Sequence, residues 1–337
     1  MIGLRLRQVW VVALAVFATG GVGALADTPP GAPAAMRERV RIGVLAFGTV
    51  SWELAAIDAE GSAGTASIDL LPTVLAGAEA AKIALQGSAV DLIVADWIWV
   101  ARQRAQGSDY TFAPYSTVHG ALVVPSDSPI RDVGDLEGKK LGVVGGGLDK
   151  NWLMLRLLAQ RKFGFDAQRA VSPVFGAPPL LNQQLVQGRL DALLNYWHYA
   201  VKLEARGYRT ILDGRMLLRE LGVADDLANL GFVFRDSWAR QHLPALRATL
   251  EVFGRAHRRL CEDDALWQRV LPLTQERDPK VTGLLRQRYC SGGVGAPPER
   301  QAEAAARLFG LLREVAGEEL TGAAAVLPPG TFWSVPK

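Results

Sequence analysis

Cysteine is almost missing from this sequence: its 337 residues contain two, Cys261 and Cys290. That excludes a cysteine-built metal cluster and a small disulfide-dense scaffold. Neither cysteine lies near the N-terminus, so a lipid-modified N-terminal cysteine is not expected. Histidine is as sparse. His119, His198, His242 and His257 show no metal-ligand spacing, so no metal is expected, and no cofactor. They also assemble into no Ser/His/Asp or Cys/His arrangement, and no catalytic residue is expected. The glycine run Gly145–Gly147 is not followed by Gly-Lys-Ser/Thr, which excludes a nucleotide P-loop. Low-complexity tracts and long charge runs are absent. After the first segment no apolar run approaches the roughly 20 residues of a membrane span.

What is present reads as a globular chain with room for two cores: 49% of residues are hydrophobic and 21% charged. The first 26 residues have the grammar of a cleaved signal peptide. Arg5 and Arg7 precede an apolar stretch from Val9 to Ala18, and Ala24-Leu25-Ala26 offers small residues for cleavage before Asp27. Gly20, Gly21 and Gly23 break the run and argue against an anchor. Cleavage would remove two arginines and no acid, lowering the formal charge from +3 to +1. The basic balance is therefore no argument for nucleic acid or a membrane surface. Export leaves two readings for the cysteines, one disulfide or two buried thiols.

One stretch organises the rest. Gln86 to Trp97 recurs about a hundred residues later as Gln187 to Trp197, and the two glycines align if one residue is deleted. Each copy has a helix end, a Gly stop, an Asp, a short apolar run, then a polar residue and Trp. The run reads as a buried strand. Ligands of open α/β sheets sit at the carboxyl ends of strands, so two such ends suggest two lobes facing one cleft. Asp96 and Asn195 are then expected at equivalent strand ends, with Asp91 and Asp191 as turn residues at the far end. Further strand-to-helix junctions follow Val40–Leu45 and Leu141–Val144. Thr49 and Ser51 read equally as ligand wall or N-cap. Gly145–Gly147 before a long helix reads as an anion site or as a tight turn capped by Asp149. From Leu243 onward helices dominate. Residues 327–337 have no regular period, and Trp333 is expected in a surface groove.

The run Asp135-Leu136-Glu137-Gly138-Lys139-Lys140-Leu141-Gly142-Val143 resembles the Asp-Leu-x-Gly-Lys-x-hydrophobic-Gly-Val signature of type II periplasmic solute-binding proteins. The chain is most similar to the branch associated with nitrate, taurine, aliphatic sulfonates and thiamine-pyrimidine precursors, over nearly all of Val40 to Tyr289. The resemblance implies an α/β fold of two lobes, with two open, mostly parallel sheets flanked by helices. Hinge strands are expected near Gly120–Pro125 and Leu230–Arg235. The implied domains are a signal peptide (1–26), lobe 1 (40–122 with 232–326), lobe 2 (123–231) and a C-terminal tail (327–337).

Carried over by position, the cleft lining begins with Gly48, Thr49, Ser51 and Trp52, then Asp96 and Trp97, and Tyr115 and Ser116. The second lobe is expected to supply Gly146, Gly147 and Asp149, then Gly176 and Ala177, and Asn195, Tyr196 and His198. The implied function is the periplasmic substrate-binding component of an ABC transporter, closing by a hinge over a small polar organic solute. Its partners would be that solute and an inner-membrane ABC permease, with no nucleic acid, and the chain would be a monomer. Glu53, Asp96 and Asp149 near one rim oppose a simple anion and suit a hydroxyl, an amine or a zwitterion. Two alternatives stand beside this: an enzyme on the same fold, resembling thiamine-pyrimidine synthases, and a periplasmic ligand sensor. The former use a cysteine-rich iron-binding motif that this chain lacks.

Overall fold

Apolar runs too short for helices build two sheets of one design. The computed structural model describes residues 37–334. The expected signal peptide lies outside them, as do residues 335–337. The strands, numbered in chain order, fall into two five-stranded sheets. The first runs β2 (Ile68–Leu75), β1 (Glu38–Leu45), β3 (Leu92–Ala95), β10 (Leu230–Arg235) and β4 (Tyr110–Ser116). The second runs β7 (Ser172–Gly176), β6 (Lys140–Val144), β8 (Ala192–Asn195), β5 (Ala121–Val124) and β9 (Arg209–Asp213). In each, the two strands from the lobe edge and the third pair in parallel, and a strand arriving from the other lobe inserts antiparallel. The central strands are apolar throughout because helices cover both faces.

Helices α1 (Val50–Glu60), α2 (Ser62–Thr65), α3 (Ala78–Gln86) and α4 (Trp97–Ala105) alternate with the first strands. In the second lobe α5 (Lys150–Leu158), α6 (Ala167–Ala170), α7 (Pro178–Val186), α8 (Trp197–Glu204) and α9 (Gly214–Glu220) do the same. After β10 come α10 (Asp236–Gln241), α11 (Leu243–Glu262), α12 (Asp264–Thr274), α13 (Pro279–Cys290) and α14 (Pro298–Thr321). The amphipathic α11 buries Leu246, Val252, Phe253 and Leu260 against β1 and α1. Two of these late helices touch both lobes: α13 packs on α8, and α14 lies on α4 and α5.

The internal echo is real but has no deletion. Ser88 adopts φ 57° and Gly188 φ 68°, one hundred positions apart, and both sit one residue past a helix C-cap. Matching glycine with glycine misaligned the copies, because a serine takes the left-handed turn in the first. The Asp pair then matches without a gap. Arg41 N–H donates to Asp91 at 2.8 Å and Lys140 N–H to Asp191 at 2.7 Å, each tying its strand start to a neighbour. Asp96 is therefore the counterpart of Tyr196, not of Asn195.

The lobe boundaries shift as well. Ala121 and Leu122, expected in lobe 1, already pair with β8 and β9 of the second sheet. Leu230 and Gly231, expected in lobe 2, pair with β4 of the first. The runs read as hinge strands are interior sheet strands, chosen for burial. The chain crosses between sheets just before each, at 117–120 and within 221–229. A Cβ on Gly120 would lie 2.5 Å from the Asn195 carbonyl oxygen, so the first crossing passes too close to β8 for a side chain. Trp333 differs from expectation too: it is buried against Phe234, and its N–H donates to the Phe112 carbonyl at 2.8 Å. The tail extends the β4 edge, which its lack of periodicity concealed.

Cys261 and Cys290 form a disulfide that closes α11 onto α13, across 29 residues of sequence. Loop-closure entropy for a span of this size stabilises by about 3 kcal/mol. Reducing it, or the pair Cys261→Ala and Cys290→Ala, is expected to lower the melting temperature by roughly 5 °C, measured calorimetrically with and without reductant.

Candidate ligand-binding cleft

Helices α1, α4, α5, α7 and α8 all start at the carboxyl ends of strands, where their first N–H groups point outward. Two of these termini are closed by their own acids. Asp96 accepts from Trp99 N–H at 2.9 Å. Asp149 accepts from Asn151 N–H at 2.9 Å and Trp152 N–H at 3.3 Å. Gly145 and Gly146, at φ 94° and 88°, make the sharp turn that brings Asp149 into this position. Thr49 and Tyr196 precede α1 and α8 without capping them by side chain.

The lobes touch in this structure, and their contact buries charge. Lys150, the first residue of α5, is 5% exposed. Its Nζ donates to the Asn229 carbonyl at 2.6 Å, on the second crossing, and lies 5.6 Å from the centre of the Trp97 ring. Asn229 in turn donates from its side chain to the Val118 carbonyl at 2.9 Å, joining the two crossings. Burial lowers the Lys150 pKa to about 8, against the pull of Asp96 and Asp149. Burial also raises Asp149 to about 6, helped by the like charge of Asp96 on the opposite lobe. Tyr196 is held protonated by burial and by the same two acids. Two histidines are buried neutral. His119 falls to about 3 and His198 to about 4, in both through burial first. His198 Nε2 reaches the Phe47 carbonyl across the cleft at 2.9 Å.

The expected lining is only partly assembled. Lys150, which the expected lining left out, lies over Trp97 and feels the charges of Asp96 and Asp149, and the same two acids act on Tyr196. Its place directly after a capping Asp was the available signal, obscured because an N-terminal lysine opposes the helix dipole. Gly48, Ser51, Trp52 and His198 line a small cavity of about 40 Å³ with Lys202 and Thr274. Thr49 hydrogen-bonds to Tyr115, which turns inward to Glu53. That acid is fully buried and accepts from the hydroxyls of Tyr115 and Tyr289, the latter at 2.6 Å. Glu53 is thus a buried brace in lobe 1 and not a rim acid. Ser116 accepts from Val118 N–H at 3.2 Å within the first crossing. Gly147 stays on the exposed turn before α5 with Gly146. Gly176 ends the edge strand β7 and lies against Leu180 and Leu181 of its own lobe, and Ala177 follows it as the residue before α7. Asn195 is 2% exposed and spent internally: its amide donates to Asn182 at 2.7 Å and its oxygen accepts from Tyr196 N–H.

Residues 74–264 match the family model described as NMT1/THI5 like. No curated protein matches the chain significantly. Among solved structures, the chain is similar to the periplasmic aliphatic sulphonate binding protein SsuA from Escherichia coli. The TM-score is 0.70 at 18% identity, covering 89% of this chain and 93% of that one. It is also similar to the alkanesulfonate-binding protein SsuA from Xanthomonas axonopodis pv. citri bound to MOPS. There the TM-score is 0.68 at 19% identity, covering 89% and 99%. The desulfurization enzyme DSZB is a more distant likeness, with TM-score 0.53 at 16% identity over 85% and 96%. At these identities the likeness establishes the two-lobed periplasmic-binding-protein fold.

The Asp149 carboxyl makes a testable contribution to stability. A carboxyl raised in the folded state favours folding below its unfolded pKa and loses that contribution as pH rises through about 6. Wild type measured against Asp149→Asn, which keeps a cap, is therefore expected to lose about 1–2 kcal/mol between pH 4 and 7. Urea denaturation at several pH values checks it; a difference independent of pH would contradict it.

Proposed function

The chain belongs to the NMT1/THI5-like family, and from that premise we propose that it is the periplasmic substrate-binding component of an ABC importer. It captures a small polar organic solute between its lobes and releases it to an inner-membrane permease. One observation carries this reading: two sheets of identical topology, joined along the chain by two crossings, enclose between their strand ends a small space lined by Gly48, Ser51 and Trp52 of one lobe and His198 and Lys202 of the other. Such a space forms when lobes close and is lost when they part, as a capture device requires. The disulfide supports an exported location, since such bonds persist in oxidising compartments. No helix among the described residues is long and apolar enough to cross a membrane. The rival reading, an enzyme on this scaffold, draws on the likeness to the desulfurization enzyme.

The experiment is a thermal-shift screen of the mature protein, unfolded and refolded to strip bound solute, against small sulfonates, amines, amino acids and alcohols. A true solute at a hundred times its Kd is expected to add about 2.7 kcal/mol, a rise of roughly 4 °C. No shift across the panel contradicts the reading, and turnover of any stabilising compound favours the enzyme.

A further inference from the structure

We propose that Gln301, in the first turn of α14, is a positioning residue for solute capture: it pins the second crossing to α14 and makes that side the pivot on which the lobes turn. This rests on the capture reading above. Residues 221–229 form neither helix nor strand, yet Leu227 and Ala228 are buried. Buried backbone without regular structure must find partners elsewhere. Gln301, 1% exposed, supplies two of them. Its Oε1 accepts from Ala228 N–H at 2.6 Å, and its Nε2 donates to the Asp226 carbonyl at 2.9 Å. An amide carries a neutral donor and a neutral acceptor on one rigid plane, so it can hold both groups at once.

The other partners of this segment belong to the parts that it joins. Ser116, Val118 and His119 lie on or beside the first crossing, and Lys150 lies in lobe 2. Gln301 differs, because its helix packs on α4 of lobe 1 and on α5 of lobe 2. Its own backbone is fixed: Pro298 opens the helix, and Gln301 N–H donates to the Pro297 carbonyl at 3.1 Å. The following turns are anchored by the buried Ala305, Leu308, Phe309 and Leu312. A side chain on a helix shared by both lobes can hold the crossing still while they rotate. Beyond the pinned residues, the pairing of β10 with β4 shifts register between Leu230 and Gly231. Hinges concentrate their backbone change in a few residues at element ends. With 226–228 pinned, that change on the second crossing is confined to 229–231.

The test is Gln301→Met, which keeps the volume and removes both hydrogen bonds, in the mature protein spin-labelled at Ile83 and Leu180. Without added solute, its interlobe distance distribution is expected to be at least twice as wide as that of the unaltered chain and to reach distances the latter does not sample. Leu246→Ala, in the core of lobe 1 away from both crossings, weakens the fold without touching the hinge and is expected to leave the width unchanged. An unchanged width in Gln301→Met, or equal broadening in Leu246→Ala, overturns the proposal. Should either variant not fold, hydrogen exchange in the unaltered protein decides. After correction for intrinsic rates, the pinned Ala228 N–H is expected to exchange at least tenfold more slowly than Asn229 N–H, which is bonded to Ser116 across the flexing stretch. An equal or faster rate overturns the proposal. Solute capture is judged separately: one fixed distance in the unaltered chain and no response in the solute screen contradict it, whatever Gln301→Met does.

Discussion

Lys150 must keep its charge where almost no water reaches it. The Asn229 carbonyl, the Trp97 face and the carboxylates Asp96 and Asp149 take over that role. These partners come from the second crossing, from lobe 1 and from its own lobe, so one ammonium ties three parts of the molecule. Leaving such a charge buried without partners costs about 3–5 kcal/mol, and the arrangement around it is correspondingly specific. The crossings follow from it: Asn229 holds Ser116 and Val118 through its N–H and side chain, and His119 Nε2 meets the Leu227 carbonyl at 3.3 Å.

Around this centre the interlobe contacts are of two kinds. Towards the rim they are polar: Arg288 with Glu204 at 3.3 Å, which is partly solvated, then the more buried Lys202 with Glu276 at 3.2 Å and the buried His198 with Phe47. A partly exposed pair such as Arg288–Glu204 contributes about 0–1 kcal/mol, a small barrier to the proposed parting of the lobes on this side. Beneath α14 the contact is apolar, with Leu308, Phe309 and Leu312 in a cluster that reaches both lobes. Breaking that cluster would expose large side chains at about 25 cal/mol per Å². Under the proposed capture of a solute, the opening would be a rotation that keeps the α14 side together and separates the rim.

Much of this was legible in the residues. The pairs Asp91/Asp191 and Trp97/Trp197 mark equivalent positions, and the pattern placed Asp96 and Trp97 at a strand-to-helix junction, as the structure has them. What was not legible depends on tertiary neighbours. Asn195 carries a polar group at a strand end, yet Asn182, thirteen residues earlier on α7, consumes it. Glu53 looked like a rim acid, but Tyr115 and Tyr289 from distant elements bury it. Residues 121–124 and 230–235 were expected as hinge strands at the lobe boundary, and burial makes them interior strands of the two sheets. Strand β9 and helix α9 were overlooked because Arg209–Asp213 has no clear alternation and is only half-buried.

The central claim, that the two lobes close over a solute, is tested most directly by an interlobe distance. Spin labels at the exposed positions Ile83 on α3 and Leu180 on α7 report it by pulsed electron resonance. The stripped protein should show a broad distribution with a longer component. A solute that raises the melting temperature should collapse it to one shorter distance. A stabilising solute that leaves the distribution unchanged would contradict closure.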